Sequence, residues 1–135
     1  MGNSYLSKAI AAPVEITLVM VLGHSRAERE MEQGKYMTRC IKAGEVHELV
    51  AVAAHTLSDG KYHGASYIGF AEFNSSAVIH VGEKVFLGAA YVGVVGGFDY
   101  THFPNHINIL IEAEHPRDGQ TLRITTGQKG RFGAP

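Results

Sequence analysis

The chain has 135 residues, of which 45% are hydrophobic and 19% are charged. A chain of this size buries enough surface for one self-sufficient core and is too short for two ordinary domains. Twelve Lys and Arg residues against thirteen Asp and Glu residues give a formal charge of −1. The chain therefore has no basic field to hold a nucleic acid. The only cysteine, Cys40, excludes an internal disulfide framework, and we expect it to be a small buried hydrophobe.

The most apolar stretch, residues 10–22, predicts neither a membrane span nor a secretory signal. Pro13 and Glu15 interrupt it, and it falls short of the ~20 residues that a spanning helix needs. A secretory signal would not carry a proline and a carboxylate in its apolar core. We therefore expect no membrane partner and a cytoplasmic location, which also suits the free thiol.

Glycines are frequent, prolines are few, and the apolar runs are short and rich in β-branched residues. This pattern favours many short strands over helices. We predict about eight strands, drawn from nine strand-like runs: 14–22, 36–42, 46–57, 62–73, 77–81, 84–87, 91–98, 107–112 and 121–125.

One short α-helix is predicted over residues 25–33. Ser25 and Glu28 have the spacing of a capping box, in which each side chain bonds an orphan backbone donor of the other residue. Gly34 then supplies a helix stop. The other positions are mostly charged, so this helix should lie on the surface.

Asp59 and Gly60 separate two strand-like runs, which is the strongest short-range signal for a β-hairpin. A two-residue loop there places His47 opposite Glu72 and Ala51 opposite Ile68. If His47 and Glu72 face into a barrel, the carboxylate orients the imidazole and raises its basicity. If they face outward, the pair is a surface ion pair worth about 0–1 kcal/mol.

The fold class predicted from these elements is mainly β: a small single-domain β-barrel with one short α-helix. We expect the domain to span residues 1–126. Residues 127–135, which are Gly-rich and basic, should form a flexible tail. An open edge strand in so small a barrel would favour a homodimer.

The residues that could carry chemistry concentrate after Gly96 and Gly97, which permit close backbone approach. Polar and large apolar side chains alternate there, as in a ligand pocket at a barrel mouth. The predicted catalytic residues are Asp99, His102 and His106. The predicted ligand-binding residues are Tyr100, Phe103, Asn105 and Asn108, with His47 and Glu72 from the hairpin. The alternative is structural, because Asp and Asn often bond their own backbone in turns and buried histidines often have partners within the core.

Asp99, His102 and His106 are also ligand types that zinc or iron accepts. A His-x3-His pair is persuasive on a helix, but Pro104 lies between these two histidines and favours a loop. We therefore expect no cofactor and keep the metal site as an alternative.

Residues 97–109, from Gly97 through His102, Phe103, Pro104 and His106 to Ile109, resemble the signature of a family of small bacterial β-rich proteins of uncharacterised function. Residues 78–85 are similar to strand–turn patterns in the small barrel of translation factors. These resemblances imply a β-rich fold and bring no activity with them.

The function expected from the sequence is a barrel that binds a small organic molecule. If it is an enzyme, it would be a cofactor-independent one, catalysing acid/base isomerisation, cyclisation or hydration in specialised metabolism. A histidine would move the proton, and Tyr100 or Asn105 would donate to a developing oxyanion. The alternatives are a metal-dependent enzyme and a non-catalytic interaction module, the latter favoured if side chains fill the barrel.

Overall fold

Nine β-strands and one short 3-10 helix (Ala54–Thr56) make up the chain in the computed structural model, which describes residue 10 and residues 12–133. The strands are β1 (Val14–Glu32), β2 (Thr38–Ile41), β3 (Val46–Val52), β4 (Lys61–Phe73), β5 (Ala77–His80), β6 (Lys84–Leu87), β7 (Ala90–Asp99), β8 (Asn108–Glu112) and β9 (Lys129–Gly133). The predicted mainly β, single-domain fold is confirmed.

Seven strands form a closed barrel in the order β1-β4-β3-β8-β7-β6-β9. The ring closes because β9 pairs with β1 on one side and with β6 on the other. All neighbours are antiparallel except β3 and β8, which are parallel. The ring therefore lacks the open edge that the sequence predicted, and β2 and β5 form a separate two-stranded ribbon.

Apolar side chains from all seven barrel strands fill the interior. Representative members, each no more than 1% exposed, are Ile16, Leu49, Phe73, Leu87, Phe98, Ile109 and Phe132. A filled interior is the outcome that favours a non-catalytic interaction module. A small-molecule site would therefore have to lie at the ends of the barrel, where side chains leave the core.

The opposite face of β3 is buried as well. Val50 and Val52 alternate with Leu49 and Ala51, so they point away from the interior and pack in a second apolar cluster with Met31. Glu48 precedes Val50 on this second face and is 8% exposed. The two-sided burial of β3 therefore places an ionisable side chain inside the protein.

The predicted helix over residues 25–33 is wrong, because β1 continues through this segment to Glu32. Its backbone pairs with β4, and the Ser25 hydroxyl donates to Ser66 Oγ at 2.9 Å instead of capping a helix. The register shifts three times along this pairing, so β1 bends as it runs along β4. A long partner strand outweighs the local capping signal, since pairing supplies the backbone hydrogen bonds that the helix would have made.

The turn at Asp59 and Gly60 is confirmed, but the predicted hairpin register is wrong. Both residues have positive φ (53° and 74°), and Ser58 and Lys61 close the turn. β3 ends before the 3-10 helix, so His47 lies opposite Ala71 and Ala51 opposite Ser66. This change of register places Glu72 on the opposite face of the sheet from His47. Glu72 is half-buried there, opposite Val46 on β3 and Thr17 on β1.

The expected flexible tail contains a strand that closes the barrel. β9 buries Phe132 to 1% exposure, and its backbone pairs with strands on both sides. The domain thus extends to Gly133, while residues 134 and 135 lie outside the described part.

The run 121–125, predicted as a strand, forms turns instead, since Asp118 accepts from the Thr121 amide at 2.8 Å. Cys40, predicted to be buried, is exposed.

Candidate functional site

A polar groove lies at the end of the barrel where β3 and β8 begin and β7 ends. Its volume is about 420 Å³, within the range of small-molecule pockets. It is lined by Arg39, Glu45, Val46, His47, Phe103, Pro104, Asn105 and His106. We call it the rim groove. It brings together four of the predicted site residues, namely His47, Phe103, Asn105 and His106.

The loop over residues 100–107, which forms one wall of the groove, is anchored by Asp99. Asp99 is 1% exposed, and its carboxylate accepts from the amides of Glu32 at 2.8 Å and Thr101 at 2.9 Å. Its Oδ1 also faces the Asn108 amide at 3.4 Å. These bonds join the end of β1 to the loop. Asp99 therefore orients the backbone and not a histidine, which corrects its predicted catalytic role.

Close backbone contact explains the two glycines that precede Asp99. The Phe98 amide donates to the Gln33 carbonyl at 3.0 Å, so the end of β1 lies directly against β7. A Cβ at Gly97 would overlap that carbonyl, and a Cβ at Gly96 would crowd the Tyr62 hydroxyl. The close approach predicted for these glycines is thus observed.

His47 is held by two partners within the protein. Its Nδ1 accepts from the Ile107 amide at 3.1 Å, which leaves Nε2 as the protonated nitrogen, 2.7 Å from Glu45 Oε1. Burial lowers the pKa of His47, and the Glu45 hydrogen bond offsets part of this effect. With both ring nitrogens engaged, His47 has no lone pair for a ligand. The predicted His47–Glu72 pair does not form, because Glu45 takes the place of Glu72.

His106 forms a different kind of pair with Glu48. Both residues are 8% exposed, and His106 Nε2 lies 3.3 Å from Glu48 Oε1 without the alignment of a hydrogen bond. Nδ1 of His106 contacts the Asn105 amide nitrogen at 2.8 Å, and the imidazole packs edge-on against Phe70. His106 therefore connects the groove with a buried carboxyl group.

Burial raises the pKa of Glu48 to about 7, and the nearby Asp99 charge acts in the same direction while Arg29 opposes it. Burial also lowers the pKa of His106, and the charges of His102 and His47 add to that effect. Burial thus disfavours the charged form of both groups. Sequence reasoning missed Glu48, because at the start of a strand it looked like a solvated edge.

Arg39 is the second residue that sequence reasoning missed. Its guanidinium lies over the rings of Tyr100 and Phe103, at 5.6 and 5.9 Å from their centroids. Its Nε is buried without a hydrogen-bond partner. No short sequence motif marks it, since Arg39 is on β2 and its aromatic partners are on the loop.

The remaining predicted residues surround the groove without lining it. His102 is exposed and stacks on His106 with ring centroids 5.1 Å apart. Tyr100 packs on the core and supports Arg39. Asn108 is 1% exposed, and its Oδ1 lacks a hydrogen-bond partner among the described residues.

The metal alternative lacks a ligand set in the part of the chain that the structure describes. No group of three His, Cys, Asp or Glu side chains there could hold an ion. Asp99, one of the three predicted ligands, accepts from the amides of Glu32 and Thr101 instead.

The chain belongs to a family of unknown function, DUF6917, whose match covers residues 8–133. Neither the curated proteins nor the solved structures contain a match to the chain.

Over residue 10 and residues 12–133, no helix is long and apolar enough to cross a membrane.

Proposed function

We propose that this protein binds a small organic molecule in the rim groove and transfers a proton to or from it without a cofactor. His106 would be the group that meets the ligand, and Glu48 its proton partner. The observation that carries the proposal is the buried His106–Glu48 contact of 3.3 Å, which opens onto a groove of about 420 Å³.

The protonation states suit acid/base chemistry at neutral pH. The pKa of Glu48 is about 7, near the pH at which a general acid or base works best, and the lowered pKa of His106 favours its neutral form, which can accept a proton. A ligand that displaces the Asn105 amide would expose the Nδ1 lone pair of His106. As Nδ1 accepts a proton, the Nε2 proton can pass to Glu48.

The reaction class that this arrangement favours is proton abstraction next to a carbonyl group. His106 would take a proton from carbon, the electron pair would move to the carbonyl oxygen, and the proton would return to a neighbouring atom. Asn105 lines the groove and its amide can donate to the developing oxyanion. This chemistry is that of an isomerase, and the same groups would serve a cyclisation or hydration.

Deuterium incorporation from D2O tests this proposal without knowledge of the product. Small ketones and aldehydes, among them dihydroxyacetone as a neutral probe and pyruvate as an anionic probe, would be incubated with the protein and followed by NMR. We expect at least one to exchange faster with the wild type than with His106→Gln. The control is His115→Gln, at an exposed position of another loop, which should match the wild type. Equal rates for His106→Gln and the wild type would rule out His106 as the base.

A non-catalytic interaction module is the second candidate, and exposed apolar side chains on and next to the β2–β5 ribbon favour it. Tyr36 and Met37 are 57% and 56% exposed, and Val78 and Phe103 are exposed as well. The two strands of this ribbon pair only with each other among the described residues, so a second copy could pair with its edges. Light scattering after size-exclusion chromatography would reveal a homodimer. A monomer at micromolar concentration would argue against this candidate.

A further inference from the structure

We infer that the rim groove is built for a small monocarboxylate, with Arg39 as the residue that anchors it. This inference rests on the proposed function, because it names the ligand class of the same groove.

The Arg39 side chain is held in place without its donors being used. Tyr100 and Phe103 lie against the guanidinium, which restricts its movement. No hydrogen bond or ion pair joins this side chain to any residue that the structure describes, and Nε is buried. The terminal nitrogens are not among the buried atoms that lack a partner, so they are the donors that a ligand in the groove can reach.

The chemistry of a guanidinium indicates which ligand group would suit these donors. Arginine stays charged at every physiological pH, and its donors lie in one plane that matches the two oxygens of a carboxylate. Aromatic rings against the guanidinium leave the in-plane donors available. A carboxylate in the groove would therefore accept from the terminal nitrogens, alongside Glu45, whose pKa the His47 hydrogen bond and the Arg39 charge already lower.

The other groups of the groove favour one negative charge over two. Glu45 lines the same groove and accepts a hydrogen bond from His47. This bond lowers the pKa of Glu45, as does the Arg39 charge, so Glu45 is ionised at neutral pH. His47 and His106 have lowered pKa values and are neutral there. A dicarboxylate or a phosphate dianion would meet one arginine and one repelling carboxylate.

Arg39 and His106 line the same groove, so one ligand can contact both residues. Phe103 and Pro104 line the groove together with them and provide apolar surface for the body of the ligand. A molecule held by its carboxylate at Arg39 would place its remaining atoms toward Asn105 and His106. The anchor would thus orient the reacting part of the ligand at the proton-transfer pair.

The test is a ligand titration of the full chain, followed by two-dimensional NMR of the arginine Nε–H groups and of the Asn105 side-chain amide. The probes are benzoate, its uncharged isostere benzamide and the dianion phthalate. We expect benzoate to shift the Arg39 Nε–H signal and the Asn105 amide with millimolar affinity. Benzamide and phthalate should bind about tenfold more weakly or not at all.

Two variants and one control make the result specific. Arg39→Gln should weaken benzoate binding about tenfold or more, and Arg39→Lys, which keeps the charge but loses the planar fork, should weaken it less. Arg117→Gln, at an exposed arginine of another loop, should bind benzoate like the wild type. If Arg39→Gln does not fold, the benzoate affinity of Arg39→Lys and the benzoate-induced shift of the wild-type Nε–H signal still test the inference.

The outcomes separate the anchor from the proposed function. Benzoate that leaves Arg39 Nε–H unshifted, or that binds Arg39→Gln as tightly as the wild type, overturns the inference. Benzamide binding as tightly as benzoate also overturns it, although the groove would still be a ligand site. If benzoate binds through Arg39 but no carbonyl compound exchanges deuterium, the anchor is supported and the proton-transfer proposal fails.

Discussion

Two histidine–carboxyl pairs lie at one end of the barrel. They differ in the partners of the imidazole nitrogens and in the burial of the carboxyl group. In the Glu45–His47 pair, the imidazole bonds a backbone amide and a half-exposed carboxylate, so both ring nitrogens are satisfied. In the Glu48–His106 pair, the carboxyl group is buried and the contact is 3.3 Å without good alignment. The first pair fastens the loop to β3, and the second is the pair that we propose for proton transfer.

The difference follows from the alternation of side chains along one strand. His47 and Glu48 are neighbours in β3, so they point to opposite faces of the sheet. His47 meets the loop backbone at Ile107, whereas Glu48 is buried with the second apolar cluster on its own face. Residue type alone therefore does not identify a functional pair: burial of the carboxyl group and the partner of the second ring nitrogen decide it.

The largest effect should come from His47→Leu, which we expect to lower the free energy of unfolding by about 2–3 kcal/mol. The substitution leaves the buried Ile107 amide without an acceptor and removes the bond to Glu45. Urea denaturation at pH 7 measures the loss. His102→Leu, at an exposed imidazole, is the control and should change stability by less than ~0.5 kcal/mol. Equal effects of the two substitutions would show that His47 does not fasten the loop.

Glu48→Gln should stabilise the protein at pH 8 by about 2 kcal/mol. The pKa of Glu48 is about 7 in the folded protein and 4.5 without burial, so folding favours the protonated form. Its contribution is fully present below pH 4.5 and is lost as the pH rises through 7. The variant should thus gain stability over the wild type between these values and match it in acid. Urea denaturation across this range measures the gain.

Glu45→Gln is the matched control for that experiment, because its carboxylate belongs to the other pair. The hydrogen bond from His47 lowers the pKa of Glu45, so this pair contributes stability above the ordinary pKa and loses it as the pH falls. The variant should therefore be no more stable than the wild type at pH 8. A gain equal to that of Glu48→Gln would remove the distinction between the pairs.

Side-chain carboxyl NMR should separate the two glutamates directly. We expect Glu48 to titrate near pH 7 because of its burial, and Glu45 to titrate below its ordinary value because of His47. The pH titration of the carboxyl carbons is the measurement. Two similar midpoints near 4.5 would contradict the burial of Glu48 and with it the proton-transfer pair.

The smallest effect should come from Arg29→Gln. The Arg29 charge lowers the pKa of Glu48, so its removal should raise that pKa further and leave stability within ~0.5 kcal/mol of the wild type. The same carboxyl titration detects the shift. Arg26→Gln, whose arginine pairs with Glu28, should leave Glu48 unchanged. A downward shift in Arg29→Gln would show that Arg29 does not act on Glu48 by its charge.

Local chemistry made parts of this molecule predictable. The turn at Asp59 and Gly60 follows from residues that accept positive φ, and the boundaries of β6 follow from a short apolar run between glycines. The sequence also shows a concentration of polar and aromatic side chains over residues 99–108, after two glycines. Of the residues in this stretch, Phe103, Asn105 and His106 line the rim groove.

Other parts were not predictable because distant residues determine them. The capping signal at Ser25 competes with a strand partner far along the chain, and the Gly-rich end becomes β9 only because β1 and β6 flank it. Glu48 has an unremarkable position in the sequence, and its pKa changes only when the second apolar cluster buries it. Arg39 acquires its environment from Tyr100 and Phe103, which are more than sixty residues away.

The sequence by itself determined a single mainly β domain and a histidine-rich loop at one end of it, since strand propensity, turn residues and local side-chain chemistry act over a few positions. Only the tertiary structure decided that the ring closes, that His47 pairs with Glu45 in place of Glu72, and that Glu48 and Arg39 belong to the site. The physical reason is that register and burial depend on contacts between strands. A shift of one residue in such a contact moves a side chain to the opposite face.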